Sequence, residues 1–276
     1  MTDHYAVIGN PVAHSLSPLV HTAFAQQTGQ NISYIKLLSP LTDFAVTVRK
    51  FQTDGGCGVN VTVPFKEEAF RIADRHTERA MLAQAANTLV FTDTGILADN
   101  TDGAGLIIDL RQNLYFPLAH RRILLLGAGG AARGVMPSLL AELPSRLVIA
   151  NRTRARAHTL QERFAIYGNV SACDYADLQN QQFDCVINAT STGLSGEYIT
   201  LPDTLFAPGS LAYDMAYGKD PTPFLRFAQG HGAAQCADGL GMLVEQAAEA
   251  FHLWRKLRPQ TQTVIDQLRS NSSNRA

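Results

Sequence analysis

The stretch Ile123-Leu-Leu-Leu-Gly-Ala-Gly-Gly-Ala-Ala132, with Asn151-Arg-Thr-Arg-Ala-Arg156 downstream, decides how this chain folds. Four apolar residues precede Gly127 and read as a buried strand. The glycines at 127, 129 and 130 break it into a turn, and Ala131 to Leu143 reads as a helix, with Pro137 at a kink or close to the first turn. Leu147-Val-Ile-Ala150 reads as a second buried parallel strand, which completes a β-turn-α-β unit. A glycine turn lets the backbone approach a pyrophosphate, and the helix start behind it offers N–H groups that lack intrahelical partners. In such units an Asp or Glu about 20 residues after the turn binds the ribose 2′-hydroxyl of NAD. No acidic residue lies between Ser145 and Ala155; Arg152, Arg154 and Arg156 stand there instead. Cations at a helix start oppose its dipole, so a bound anion explains them better than local stability does. A solvated basic helix start is the plainer alternative. The two motifs together point to a nucleotide with an extra phosphate, NADP.

The rest of the composition narrows the class. A chain of 276 residues, 46% hydrophobic and 17% charged, can bury two medium-sized cores. A formal net charge of −1 gives no support for binding nucleic acid or a membrane surface. Cys57, Cys173, Cys185 and Cys236 are scattered, with neither zinc spacing nor a disulfide framework, as expected of free thiols in a reducing cytoplasm. There is no signal-like start and no apolar run long enough to span a bilayer. The histidines lack ligand spacing, so no metal is expected. The tail from Ser270 to Ala276 is polar and expected to fray.

Strand-like and helix-like segments alternate along the chain, which implies open, largely parallel sheets flanked by helices. Strands are expected at Tyr5–Ile8, Ile32–Leu38, Gly58–Val63, near Val170, at Phe183–Asn188 and at Leu211–Met215, with a hairpin of Thr88–Thr92 and Ile96–Ala98 around Gly95. Helices are expected at Pro18–Thr28 behind Ser17 as N-cap, at Asp43–Gln52, Lys66–Ala73, Glu78–Ala86 and Asp102–Gln112, from Arg156 to Phe164, at Pro223–Gln229, and from Gly239 to about Trp254. The expected architecture is α/β in two domains with a ligand cleft between them. Residues 1–101 with about 240–276 form a substrate domain, and residues 102–239 form a Rossmann-type nucleotide domain.

Polar residues gather where elements of the first domain end. Ser15 and Ser17 flank a helix start and could take a carboxylate, or could be a turn residue and a cap. In Asn60-Val-Thr-Val-Pro-Phe-Lys66, Asn60 and Thr62 share a strand face, and Lys66 follows the strand's C-terminal end. A lysine there can serve as general acid or base; a solvated helix start is its default reading. Asp102, in Asp99-Asn-Thr-Asp-Gly103, could pair with it or could be an N-cap, and Asn87 could close a helix.

Taken in order, these motifs resemble one family, the shikimate dehydrogenases. The matches are Gly9-Asn-Pro11 with His14-Ser-Leu-Ser-Pro18, Asn60 to Lys66, Ala86-Asn-Thr88, Asp99 to Gly103, Gly127 to Ala132, Asn151-Arg-Thr153, Asn188-Ala-Thr190, Tyr213-Asp-Met-Ala-Tyr217 and Asp238 to Gln246. The resemblance implies NADPH-dependent, reversible reduction of 3-dehydroshikimate to shikimate, within chorismate and aromatic amino-acid biosynthesis. It implies Lys66 and Asp102 as catalytic pair, and Ser15 and Ser17 at the substrate carboxylate with Tyr217 nearby. Thr62, Asn87, Asp102 and Gln246 fall at the ring hydroxyls, supported by Asn60. Gly127, Ala128, Gly129, Gly130 and Ala131 fall at the pyrophosphate, and Asn151, Arg152, Thr153 and Arg156 at the 2′-phosphate. Met215, Gly239 and Met242 fall near the nicotinamide. The sequence departs from the family at Ala85-Ala86 and is unusually basic at Arg154-Ala-Arg156. An NAD-linked quinate/shikimate dehydrogenase and a non-catalytic NADP-binding sensor are the alternatives. Monomer and homodimer are both open.

Overall fold

The computed structural model describes residues 2–190 and 199–273, and they form two compact units. The first comprises Met1–Gly105 with Leu243–Asn271, the second Leu106–Met242. Both crossings fall inside helices, a few residues after the starts expected from the sequence. Asp102 therefore belongs to the first unit and not, as expected, to the nucleotide unit.

The first unit holds a six-stranded sheet of order β2-β1-β3-β5-β6-β4. Its strands are β1 (Asp3–Gly9), β2 (Ile32–Leu38), β3 (Gly56–Val61), β4 (Arg75–His76), β5 (Thr88–Thr92) and β6 (Gly95–Asp99). The two-residue strand β4 is too short for any periodicity to announce it. Strand β1 runs parallel to β2 and β3, whereas β5 is antiparallel to both β3 and β6. Alternation along β1 and β3 sends Ala6, Ile8, Val59 and Val61 into one core with Phe44, Phe65 and Ala69. Tyr5 and Val7 point the other way, to Tyr34, Val12 and Trp254. Helices α1 (Ser17–Thr28), α2 (Phe44–Thr53), α3 (Lys66–Ile72) and α4 (Glu78–Ala83) connect the strands, and α5 (Asp102–Ile108) leaves the sheet. Helix α5 continues as a π-type turn, Asp109–Asn113.

The second unit holds an all-parallel sheet of order β12-β11-β10-β7-β8-β9. Its strands are β7 (Arg122–Leu126), β8 (Arg146–Ala150), β9 (Val170–Cys173), β10 (Phe183–Asn188), β11 (Phe206–Asp214) and β12 (Gln235–Asp238). Successive residues serve opposite cores. Ile123, Leu125, Leu147, Ile149 and Ile187 pack in one, and Leu124, Leu126, Val148, Ala150 and Val186 in the other. Burial on both faces is why these strands read as unbroken apolar runs. Helices α6 (Gly130–Ala141), α7 (Arg154–Phe164) and α8 (Pro223–Gly230) cover the faces. Pro137 lies in the interior of α6 rather than near its first turn. The chain returns through α9 (Leu240–Arg255) and ends in α10 (Gln262–Ser273). The helix α10 replaces the expected frayed tail as far as Ser273; residues 274–276 lie outside the described residues. Among the described residues no helix is long and apolar enough to cross a membrane.

Candidate active site and nucleotide turn

Strand register in the first unit brings the polar residues of three connections to one edge of the sheet. Asn60 near the end of β3 pairs with Thr88 at the start of β5, and Thr88 pairs with Asp99 at the end of β6. Lys66 follows β3, Asn87 precedes β5 and Asp102 follows β6, so the antiparallel turnaround makes the three neighbours.

Lys66 Nζ donates to Asp102 Oδ2 at 2.6 Å. The pair is largely buried, with side chains 16% and 5% exposed. Lys66 is the first residue of α3, where Glu67 and Glu68 suit the helix dipole and a lysine does not. Its side chain leaves the helix for a carboxylate instead. The other carboxylate oxygen, Oδ1, accepts from Asn87 Nδ2 at 2.8 Å. Asp102 is therefore not a cap: its own N–H donates to Asn100 Oδ1 at 3.1 Å, and both its oxygens face side chains. Asn87 likewise does not close a helix, since α4 ends at Ala83. Its Nδ2 lies 2.9 Å from Thr101 Oγ1 and 3.1 Å from Gln246 Oε1, and its Oδ1 accepts from Thr101 N at 2.8 Å. A buried amide surrounded this fully has one orientation.

Behind this cluster Arg79 makes a two-point contact with Asp99, each bond 2.6 Å. Burial alone would raise the Asp99 pKa, but the Arg79 bonds outweigh it and hold the carboxyl below its ordinary value. Asp99 Oδ1 also accepts from Asn100 N at 2.7 Å, which pins the start of the turn that carries Asp102.

A second group lies along the same face. Leu16, not Ser17, occupies the N-cap position of α1, and no side chain caps it. The Ser17 N–H donates to Ser15 Oγ at 3.3 Å, and Ser15 Oγ donates to Ser17 Oγ at 3.1 Å. The Ser17 hydroxyl is thus not spent on the helix. Tyr34 on β2 donates to Asn60 Oδ1 at 2.7 Å, and Asn60 Nδ2 donates to Asn87 O at 3.2 Å and Thr88 Oγ1 at 3.0 Å. Sequence reasoning missed Tyr34; its only signal was a polar aromatic in a strand. Thr62 lies just past β3, with its N–H donating to Ile8 O at 2.9 Å. Tyr217 belongs to the second unit.

In the second unit Gly127 follows β7 at φ 104°, a left-handed conformation that favours glycine. Helix α6 starts at Gly130 behind Gly129 as N-cap, and no side chain caps it. A Cβ on Gly129 would meet nothing within 4 Å. The helix start is thus uncapped and open beside Gly129, a place that fits a pyrophosphate. Gly239 lies so close to Met215 that any side chain there would overlap the Met215 carbonyl. Met242 is buried in the core of the second unit, 6% exposed.

Beyond β8, Asn151 Nδ2 donates to Thr153 O at 2.9 Å and fixes the turn before α7. Arg152 and Arg156 are exposed. Arg154 is occupied otherwise: its guanidinium lies 3.1 Å from Asp177 and 4.0 Å from Asp174. The expectation that a bound anion explains all three arginines is corrected for Arg154, whose acidic partners come from the segment after β9. Among the described residues no cluster of His, Cys, Asp and Glu could hold a metal ion.

Three family models match the chain: the shikimate dehydrogenase substrate binding domain over residues 7–89, shikimate / quinate 5-dehydrogenase over 109–199, and the shikimate 5′-dehydrogenase C-terminal domain over 239–269. A shikimate dehydrogenase (NADP(+)) of Nitrosospira multiformis is 58% identical over 98% of each chain. The crystal structure of an Ael1 enzyme from Pseudomonas putida is 50% identical, with a TM-score of 0.89 over 97% of this chain and 98% of its own. The shikimate 5-dehydrogenase of Thermus thermophilus, solved with NADP(H) and shikimate, is 32% identical, with a TM-score of 0.87 over 98% of this chain and 100% of its own.

Proposed function

We infer the residue roles from one premise: the chain belongs to the shikimate dehydrogenase family. Its reaction is the reversible, NADPH-dependent reduction of 3-dehydroshikimate to shikimate, a step toward chorismate and the aromatic amino acids. The observation that carries the residue assignment is the buried contact of Lys66 Nζ with Asp102 Oδ2 at 2.6 Å.

The second unit suits NADP: the uncapped start of α6 and open Gly129 take the pyrophosphate, and Arg152 and Arg156 take the 2′-phosphate, with Asn151 and Thr153 shaping the turn. Met215 and Gly239 lie side by side near the nicotinamide end. When bound, NADPH supplies the hydride for the ketone carbon. As that hydride arrives, negative charge builds on the ketone oxygen. Lys66 stabilises it and delivers a proton from Nζ; in the oxidising direction the same nitrogen takes the proton of the hydroxyl. Asp102 keeps the amine in place through one oxygen and is itself held by Asn87 through the other. Asn87, Gln246, Thr62 and Asp102 read the ring hydroxyls, and Ser15 and Ser17 donate to the carboxylate. Tyr217 is a further carboxylate contact by family resemblance. The four free cysteines fit a reducing compartment, the cytoplasm.

Removing the acid leaves hydride delivery without proton transfer. Lys66→Ala should lower kcat for shikimate oxidation by roughly two to four orders of magnitude while the shikimate KM changes little. NADPH absorbance reads both. A kcat near that of the unaltered enzyme removes Lys66 from the chemistry.

A further inference from the structure

The serine pair and the ring-hydroxyl cluster are not independent. Ser17 and His21 lie one turn apart on the same face of α1. The His21 ring stacks on Tyr34 with centroids 4.3 Å apart and planes 7° from parallel. The Tyr34 hydroxyl sits between the two groups. It donates to Asn60 Oδ1 at 2.7 Å, and the Ser17 side chain stands beside it, one helix turn from the His21 ring that stacks on Tyr34. Asn60 then reaches Asn87 O and Thr88 Oγ1, and Asn87 reaches Asp102. All of Ser17, Tyr34, Asn60 and Asn87 are buried, so each bond is made where water cannot replace it.

We propose that Tyr34 is a positioning residue for the substrate: its hydroxyl ties the Ser15–Ser17 pair, at the carboxylate, to Asn60 and the hydroxyl-reading cluster around Asn87. The inference rests on the reading of the first unit as the shikimate site. Tyr34 itself need not touch substrate. A shikimate molecule is rigid, with its carboxylate and its ring hydroxyls at fixed separation. A site that recognises both ends must fix the distance between its two sets of donors, and a misplacement of about 1 Å costs heavily. The Tyr34 hydroxyl is the direct polar link between those sets, on a ring clamped by His21. When the Ser17 hydroxyl turns toward a carboxylate, Tyr34 keeps Asn60 oriented through its own bond.

Tyr34→Phe keeps the stack on His21 and deletes only the hydroxyl. Shikimate KM should rise about tenfold, the worth of one buried hydrogen bond, with kcat and the NADP KM nearly unchanged. A general loosening of the fold would move all three. Ser17→Ala, alone and with Tyr34→Phe, closes a double-mutant cycle: the two KM effects should fall well short of multiplying. If Tyr34→Phe does not fold, Ser17→Ala and Asn60→Ala test the same link from its two ends, and the expectation is again a shortfall. Effects that multiply fully, or an unchanged KM in Tyr34→Phe, overturn the proposal while the unaltered protein still oxidises shikimate. An unaltered protein that does not oxidise shikimate with NADP overturns the reading beneath it as well.

Discussion

His21 should make the first unit acid-sensitive in a way that a single substitution removes. Its ring is fully buried among Tyr34, Phe24, Phe251 and Trp254. Burial pulls its pKa from 6.5 to about 3, against a smaller opposing effect of Asn60. The unfolded chain takes up a proton at this residue below about pH 6.5, and the folded chain refuses it until about pH 3. Stability from this group is therefore complete above pH 6.5 and falls as the pH drops through that window, with a limiting slope of about 1.4 kcal/mol per pH unit. Between pH 7.5 and 5.5 the loss integrates to about 1.4 kcal/mol. The variant His21→Phe keeps a flat ring against Tyr34 and has nothing to protonate. Trp254, the only tryptophan, lies 5.4 Å from His21 and stacks on Tyr5 at 4.5 Å, so its fluorescence reports unfolding of this core. Denaturant midpoints followed by that signal at pH 7.5, 6.5 and 5.5 should show the unaltered protein losing about 1.4 kcal/mol more than the variant. The other histidines and the carboxylates titrate equally in both proteins and cancel in the difference. Parallel losses, within about 0.5 kcal/mol, would show that His21 is not held neutral by its burial.

The nucleotide turn makes a selective prediction. Arg152→Ala should weaken NADP by roughly ten- to a hundredfold and leave NAD nearly unaffected, because a charged hydrogen bond to the 2′-phosphate is lost. Arg154→Ala should shift the preference little, since its guanidinium already pairs with Asp177 and Asp174; KM values for both cofactors decide, and equal losses from the two substitutions refute the distinction. A stability prediction concerns the buried carboxyl of Asp109, which accepts from Tyr213 Oη at 2.6 Å and from Asn113 Nδ2 at 2.9 Å. Burial and the neighbouring Asp109 raise the Tyr213 pKa well above its ordinary value, so its proton stays on to donate. Tyr213→Phe should cost about 2 kcal/mol by leaving that carboxyl one donor short, and an unchanged melting temperature would show that the bond contributes nothing.

The nucleotide sheet was legible because its strands are buried on both faces, so Ile123–Leu126 and Leu147–Ala150 leave no polar position to confuse the reading. Local rules failed where a side chain had a distant partner. Ser17 precedes a proline and looks like a cap, yet the cap position is Leu16 and the serine hydroxyls bond to each other. Arg154 looks like a phosphate ligand until the segment after β9 delivers Asp174 and Asp177. Helix α10 was hidden by its polar tail, although Val264, Ile265 and Leu268 are buried at helical spacing.

The cluster around Asp102 shows why such partners escape a linear reading. Asn87 and Gln246 are 159 positions apart and share a hydrogen bond, and Lys66 and Asp102 are 36 apart. The sequence offered each as a lysine, a cap or an amide at the end of an element, and each local reading was self-sufficient. What removes the local alternatives is register. With β5 antiparallel to β3 and β6, the Asn60–Thr88–Asp99 row places the end of β3, the start of β5 and the end of β6 together. Reversing β5 would send Asn87 to the far edge of the sheet and leave Asp102 with one partner. The hairpin around Gly95 is therefore what converts three separate polar ends into a lysine held by a carboxylate held by an amide.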